Sequence, residues 1–550
     1  MYKSDYSNKM SKLLEDKNIY KTIRTDPTPK LQKTNNTLVN EIFKNKYIDQ
    51  WQKNKMYSSS STAPRLYGLP KIHKPDLPLR PISSSTNVPC YQLSKHIGQI
   101  LKNIVNENYN INNSIQLKTQ LEVIVLEEDD FLVSFDAVSL FTNIPTYLAI
   151  KIIMKKWDII KNFTKIPKAQ FLKILEFCLK ENNYFKYDNK LYNQTFGMPM
   201  GNPLSPTIAD IILDDLLDKT IEELKTEKQI TIKFIKKYVD DVFAIIKEKD
   251  KDAILEFLNH YHTKLKFTVE TEQNKSLPYL DIRIFRTINK IKFNWYSKTT
   301  ASGRMINFLS TQPLQQKINT ANNFINKIIQ ISDIEFKEEN IKTIKTILHM
   351  NNFPNYLINN LINKTINKTN QNKNSQQNPD VGNTVRYYGI SYIPNLTDKR
   401  NLNKIINKEN VTFAHKSNTT IKQLFTNTKS KIEKEQQHDI IYKIGCSGKE
   451  GESCNLIYIG TTKRSLETRL IEHKADIRNK RESTGLSQHI IETGHSADFD
   501  NTTIMDKEKR TNKRYKLESL RIQHNIEKTM NTQEDRDKTI ASYSLALRAL

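Results

Sequence analysis

The sequence predicts an α+β protein built from several structural units, and three observations carry that prediction. The chain has 550 residues, which ordinary core sizes divide into about three or four units. Between residues 63 and 300, short apolar strand-like runs alternate with helical stretches. The pattern then changes: residues 310–365 read as helical, a polar tract follows, and a second compact apolar pattern starts at His438.

Taken in order, residues 1–62 are basic and helical, broken at Asp26-Pro27-Thr28-Pro29. In 63–300, the runs 131–135, 230–235, 242–246 and 291–296 predict strands. Segments 167–181, 205–224 and 250–264 predict helices. In 310–365, Ile325, Ile328 and Ile329, then Ile344, Ile347 and Leu348, recur near helical spacing. From 359 to about 380 nearly every residue is Asn, Lys, Gln, Thr or Ser, which predicts a poorly packing linker. Residues 380–437 are intermediate, with Tyr387-Tyr388-Gly389 suggesting a packed hairpin. From 438, the runs 440–444 and 456–460 predict strands, followed by helical segments. The expected units are therefore 1–62, 63–305, 306–358, a linker region 359–437, and 438–535.

Lys and Arg number 85 against 60 Asp and Glu, a net charge of +25. That excess points first to nucleic acid and second to an anionic membrane surface. No apolar run reaches the roughly 18 residues of a spanning helix, and the first residues contain no apolar signal core. Four cysteines in the chain argue for a reducing compartment and against a disulfide scaffold. Cys90 and Cys178 read as ordinary buried thiols.

The chemistry centres on Tyr238-Val239-Asp240-Asp241, set between apolar runs. A bare Asp-Asp is usually a solvated turn. Adjacent strand residues point to opposite faces, so two carboxylates in mid-strand make a poor strand. At a hairpin tip both can reach one cleft. Asp136, at the end of the apolar run 131–135, offers a third carboxylate, although alone it reads as a cap or turn residue. Asp136, Asp240 and Asp241 together could hold two Mg²⁺ ions (or Mn²⁺) for phosphoryl transfer. The stretch Phe196-Gly197-Met198-Pro199-Met200-Gly201-Asn202-Pro203-Leu204-Ser205-Pro206-Thr207 is a backbone-defined loop ahead of a helix. Its plainer reading is a strand-to-helix turn. Lys71, Lys74 and Arg80, held among prolines, could grip a triphosphate or a template backbone, or form a surface basic loop.

These four elements, in this order, resemble the fingers and palm of a reverse transcriptase over roughly residues 60–300. Gly68-Leu69-Pro70-Lys71-Ile72-His73-Lys74, Leu277-Pro278-Tyr279-Leu280-Asp281 and Trp295-Tyr296-Ser297-Lys298-Thr299-Thr300-Ala301-Ser302-Gly303-Arg304 are similar to the Penelope-like retroelement branch, whose enzymes are related to telomerase. The resemblance implies a right-hand polymerase with a helical thumb. It makes Asp136, Asp240 and Asp241 the metal-binding catalytic aspartates. Lys71 and Arg80 would contact the incoming nucleotide, and Gly201 with its loop would position the template-primer. Phe141 falls where the family carries a bulky gate against a ribose 2′-hydroxyl; otherwise it is a core phenylalanine.

A second constellation lies in 438–535. Tyr442 and Tyr458 sit in strand-like runs, and Arg469 and His473 are i and i+4 on one helix face. Glu518 lies in a further helical segment. Glutamate can hold a divalent metal (Mg²⁺), arginine can stabilise phosphorane charge, and tyrosine with histidine can help activate water. Without such chemistry, Arg469 and His473 read as a solvated face. The segment resembles a GIY-YIG endonuclease, a small α/β nuclease domain that Penelope-like elements commonly carry after the polymerase. It departs from that pattern at Ile440-Ile441-Tyr442, which lacks the glycine, and in the 16-residue separation of the tyrosines. The added length contains Cys446 and Cys454. With His489 and His495 they suggest a structural Zn²⁺ site, though C-x₇-C is wider than the common spacing; two free thiols and unrelated histidines are the alternative.

The resemblances imply a nuclear mobile-element enzyme that uses element RNA as template, target DNA as substrate and primer, and deoxynucleoside triphosphates. The rival readings are a group II intron-type or other related polymerase, or an inactive nucleic-acid-binding relic. Members of the family usually carry further sequence before the point where Met1 falls, so the fingers are expected to be incomplete.

Overall fold

The computed structural model describes residues 1–372 except 73 and 289, then 386–393, 396–397, 411–416, 424–425, 428–429, and 432–532 except 451. His73 of the basic segment, most of the linker region and residues 533–535 lie outside the described residues.

Among the described residues, seventeen strands are numbered in chain order. The first sheet contains β1 (Tyr20–Ile23), β2 (Arg65–Pro70), β3 (Leu79–Ser84), β5 (Tyr184–Tyr187) and β6 (Lys190–Gln194), in the order β1-β6-β5-β2-β3. The second contains β4 (Asp130–Ala137), β7 (Phe234–Tyr238), β8 (Asp241–Lys247) and β9 (Phe267–Thr271), in the order β7-β8-β4-β9, antiparallel throughout. Alternation along β4 and β8 sorts side chains between two cores. Val133, Phe135, Val242, Ala244 and Ile246 join a cluster with the helix Ser205–Glu227. Leu132, Phe243 and Ile245 join the opposite cluster, with the meander β10 (Ser276–Tyr279), β11 (Ile282–Thr287) and β12 (Lys290–Trp295). The central sheet is thus held rigidly from both faces, which suits it to carry a site at its edge.

Three helices, Leu314–Ile331, Lys337–Met350 and Asn355–Asn372, share their own core of Ala321, Ile325, Ile328, Ile344, Leu348, Ile358, Leu361 and Ile362. Two further strands, β13 (Arg386–Ser391) and β14 (Val411–Lys416), pair in parallel. The last unit is the sheet β16-β15-β17, from β15 (Ile440–Gly448), β16 (Ile457–Thr462) and β17 (Ser496–Lys507). The helices Leu466–Arg478, Gly485–Thr493 and Thr511–His524 complete it.

Three expectations are corrected. The strand expected at 230–235 begins at Phe234, because the preceding helix runs to Glu227 and Ile230 still donates its N–H to Leu224 O at 3.1 Å. The expected linker is helical as far as Asn372, since Ile358, Leu361 and Ile362 lie on one helix face and are buried. Tyr387-Tyr388-Gly389 belongs to a parallel pair, which a tight hairpin cannot make.

Candidate functional site

The hairpin β7–β8 turns in two residues, because Tyr238 and Asp241 are register partners and only Val239 and Asp240 lie between them. Val239 takes φ 58°, a region that β-branched residues avoid. Asp136 is the register partner of Asp241 across β4–β8, and Ala137 N donates to Asp240 O at 3.4 Å. The three sequence-predicted carboxylates therefore meet at one end of the central sheet. Burial pushes the Asp241 carboxyl up to about 6, and the charges of Asp240 and Asp136 push the same way. Asp240 is raised by burial and by Asp136, against the opposing pull of Arg80 and Lys71. Three neighbouring carboxylates form a donor set suited to a hard divalent cation. A different acidic group, Glu127, Asp129 and Asp130, lies at the far end of β4. It is already neutralised by Lys233 and Lys247, with Lys233 2.6 Å from Asp130.

Arg80 stands in β3 opposite Leu69, and Lys71 N donates to Pro78 O at 2.9 Å where the β2–β3 loop begins. Burial, then Lys74 and Arg80, lower the Lys71 ammonium, while Asp136 and Asp240 oppose that shift. The basic group thus faces the carboxylates electrostatically. Gly201 has φ 127°, and a Cβ there would come within 2.0 Å of Ser83 O. Met200 O also accepts from Ser83 N at 2.8 Å, so the loop is seated on β3. The close approach that requires glycine is to β3 backbone. Phe141 is half-buried against the main core, and its carbonyl accepts from Met198 N at 2.7 Å.

Sequence reasoning singled out Tyr279 but missed its contact: its hydroxyl donates to Asp241 O at 2.8 Å. It also missed Lys237, which is buried between Asp210 and Asp214 behind the turn. Neither contact leaves a local sequence signal.

In the last unit, Tyr442 Oη lies 2.8 Å from His473 Nε2 and accepts from Arg469 Nε at 3.2 Å. The Tyr458 and His473 rings meet edge-on, with centroids 5.3 Å apart. Tyr442 and His473 are fully buried, so this helix face is not solvated. Burial pushes the Tyr442 phenol up to about 12; the Arg469 charge opposes this, and Glu518 and Glu472 add to it. Burial and the Arg469 charge hold His473 down to about 3, so its imidazole is neutral. Glu518 lies in the helix Thr511–His524. Gly460, opposite Tyr442 in β16, makes room for the cluster: a Cβ there would lie 2.6 Å from Tyr442 Oη.

One donor atom from each of Cys446, Cys454, His489 and His495 lies within 4.8 Å of the others. Cys446 Sγ is 3.5 Å from His495 Nδ1, and Cys454 Sγ is 3.7 Å from His489 Nε2. Zn–S of about 2.3 Å and Zn–N of about 2.0–2.1 Å at a tetrahedral angle place sulfur and nitrogen about 3.6 Å apart. The four side chains fit that geometry. Burial and His495 lower His489, which favours the neutral imidazole a metal needs.

Residues 72–278 match the family described as reverse transcriptase (RNA-dependent DNA polymerase). The matched residues are similar to a reverse transcriptase domain. That span contains all three carboxylates together with Lys74 and Arg80. Residues 304–363, which include the first two helices of the helical unit, match the family described as animal helix-turn-helix domain. No curated protein matches the chain. Similar solved structures include telomerase from Candida albicans in complex with a TWJ fragment of telomeric RNA, at 14% identity and TM-score 0.40, covering 66% of this chain and 59% of that one. Another is the BmCPV RNA-dependent RNA polymerase at elongation state, at 14% identity and TM-score 0.37, covering 68% and 34%. The chain spans about three-fifths of the telomerase it matches.

Proposed function

We propose that this chain is the enzyme of a Penelope-like mobile element, an RNA-directed DNA polymerase joined to a GIY-YIG endonuclease that nicks target DNA for target-primed reverse transcription. The observation that carries the polymerase half is the meeting of Asp136, Asp240 and Asp241 within a reverse transcriptase domain. Bound between them, Mg²⁺ (or Mn²⁺) would acidify a primer 3′-hydroxyl and neutralise the triphosphate. Asp136 and Asp241, from neighbouring strands, fix the metal-binding edge, and Asp240 reaches it from the turn. Lys71 and Arg80 hold the phosphates of an incoming deoxynucleotide. The Gly201 loop, seated on β3, positions the template-primer, and the Phe141 ring excludes a 2′-hydroxyl.

In right-hand terms, residues 63–305 are fingers and palm, preceded by the N-terminal segment, residues 1–62. The thumb begins near 306 and includes the helix through Asn372. Residues up to 437 link it to the nuclease, 438–535. There Glu518 would hold a divalent metal that polarises the phosphodiester. Arg469 balances charge on the phosphate, and Tyr442, Tyr458 and neutral His473 orient water. Cys446, Cys454, His489 and His495 form a structural Zn²⁺ site that pins the β15 end to the helix Gly485–Thr493. Acting on chromosomal DNA with element RNA as template, the enzyme works in the nucleus; among the described residues no helix is long and apolar enough to cross a membrane.

Primer extension on matched RNA and DNA templates tests this reading. Extension that depends on the RNA template and divalent metal is expected. A purified, folded chain that binds template-primer yet incorporates nothing at any Mg²⁺ or Mn²⁺ concentration would contradict it.

A further inference from the structure

The segment Leu277-Pro278-Tyr279-Leu280-Asp281 has no role in the reaction described above. It forms the tip of a second hairpin, β10–β11, whose partners Tyr279 and Ile282 enclose the two-residue loop Leu280-Asp281. The Asp240 hairpin has the same construction. Each loop starts with a residue in the left-handed region, Val239 at φ 58° and Leu280 at φ 55°. That region is unfavourable for Val and Leu, so contacts from outside must hold both turns.

Those contacts run from one hairpin to the other and then onward. Tyr279 is 4% exposed, its hydroxyl donates to Asp241 O at 2.8 Å, and its ring lies 5.4 Å from that of Phe243. Two residues on, the Asp281 carboxylate accepts from Ser114 Oγ and pairs with Lys327 Nζ. Asp281 O also accepts from Tyr296 N at 2.9 Å. Lys327 belongs to the helix Leu314–Ile331, the first of the helical unit. That helix is fastened nearby: Phe324 meets Trp295 edge-on, and Lys118 Nζ donates to Ile331 O at 3.0 Å.

We propose that Tyr279 is a positioning residue for Asp241, and that the Asp281–Lys327 pair couples it to the helical unit. Nucleic acid seated against that unit then steadies the turn that carries the catalytic carboxylates. The inference rests on the polymerase reading. Removing the Tyr279 hydroxyl takes a hydrogen bond from the Asp241 carbonyl, and small displacements of a metal ligand are costly in rate. The bonds of Asp281 go to Ser114, Tyr296 and Lys327, so its effect on the Asp240 turn passes through the second hairpin.

Two measurements on the full chain test this. In single-turnover incorporation, Tyr279→Phe is expected to be about tenfold slower, with an unchanged Kd for template-primer and a raised half-saturating Mg²⁺ concentration. In hydrogen exchange, template-primer binding should slow the amides of residues 239–242 in the wild type. Asp281→Asn and Lys327→Met should still bind template-primer but lose that slowing, and the exchanged pair Asp281→Lys with Lys327→Asp should regain it. Wild-type rate and metal dependence in Tyr279→Phe would overturn the positioning role. No slowing in the wild type, or full slowing in Asp281→Asn, would overturn the coupling. If exchange behaves as expected while the wild type extends no primer, the polymerase reading fails and the coupling stands.

Discussion

Replacing Lys237 with methionine tests how the Asp240 turn is held from behind. Lys237 immediately precedes Tyr238 in β7, and its side chain is fully buried. Its Nζ lies 3.0 Å from Asp210 and 3.4 Å from Asp214, both on the helix Ser205–Glu227, and donates to Asn110 Oδ1 at 2.8 Å. At these separations and an effective dielectric of about 20, each ion pair attracts by about 5 kcal/mol before desolvation is subtracted. Methionine keeps the apolar stem but leaves the fully buried Asp214 without a cation, a loss of about 3–5 kcal/mol. With an m-value of about 3 kcal/mol/M, the urea midpoint of this unit should fall by about 1–1.7 M. Burial already raises the Asp214 carboxyl, and Lys237 is the main influence holding it down. Without Lys237 the folded value climbs further above the unfolded one. The folded state then binds the extra proton, and its stability falls as pH rises through that window. The variant's deficit should therefore be smaller at pH 5 than at pH 8. Adding Asp214→Asn, which removes the charge and keeps an acceptor for Asn106 N, should recover most of the loss. A midpoint shift below about 0.3 M, or a double variant no more stable than Lys237→Met, would refute the reasoning.

Other expectations concern the last unit. Gly460→Ala should slow plasmid nicking by about a hundredfold and leave primer extension unchanged, because the new Cβ displaces Tyr442 from His473 and Arg469. Emission spectrometry should find a single zinc ion on the wild-type chain and none on Cys446→Ser, with the unit from residue 438 onward alone losing thermal stability.

Much of residues 63–305 was legible because the proposed chemistry there is local in sequence. The apolar runs around Asp136 and Asp241 specify strands that end in acid, and the strands form as expected at β4 and β8. The Arg469 and His473 spacing implied their shared helix face, and the structure adds that the face is buried against Tyr442 and Tyr458. What stayed hidden is tertiary. Nothing near Lys237 announces Asp214, and nothing near Tyr279 announces Asp241 O. Composition also misled at 359–372, where the many Asn residues masked the apolar stripe of Ile358, Leu361 and Ile362.

Under the proposed function, one site of the chain makes a DNA end and a second, separate site extends it. Supercoiled plasmid, element RNA and labelled deoxynucleotides offered together to the wild type, Asp240→Asn and Glu518→Ala measure both steps at once. The expected outcome is nicking with label joined to the nicked strand in the wild type, nicking without label in Asp240→Asn, and no nicking in Glu518→Ala, which still extends a supplied primer. A folded variant of either kind that loses both activities would contradict it.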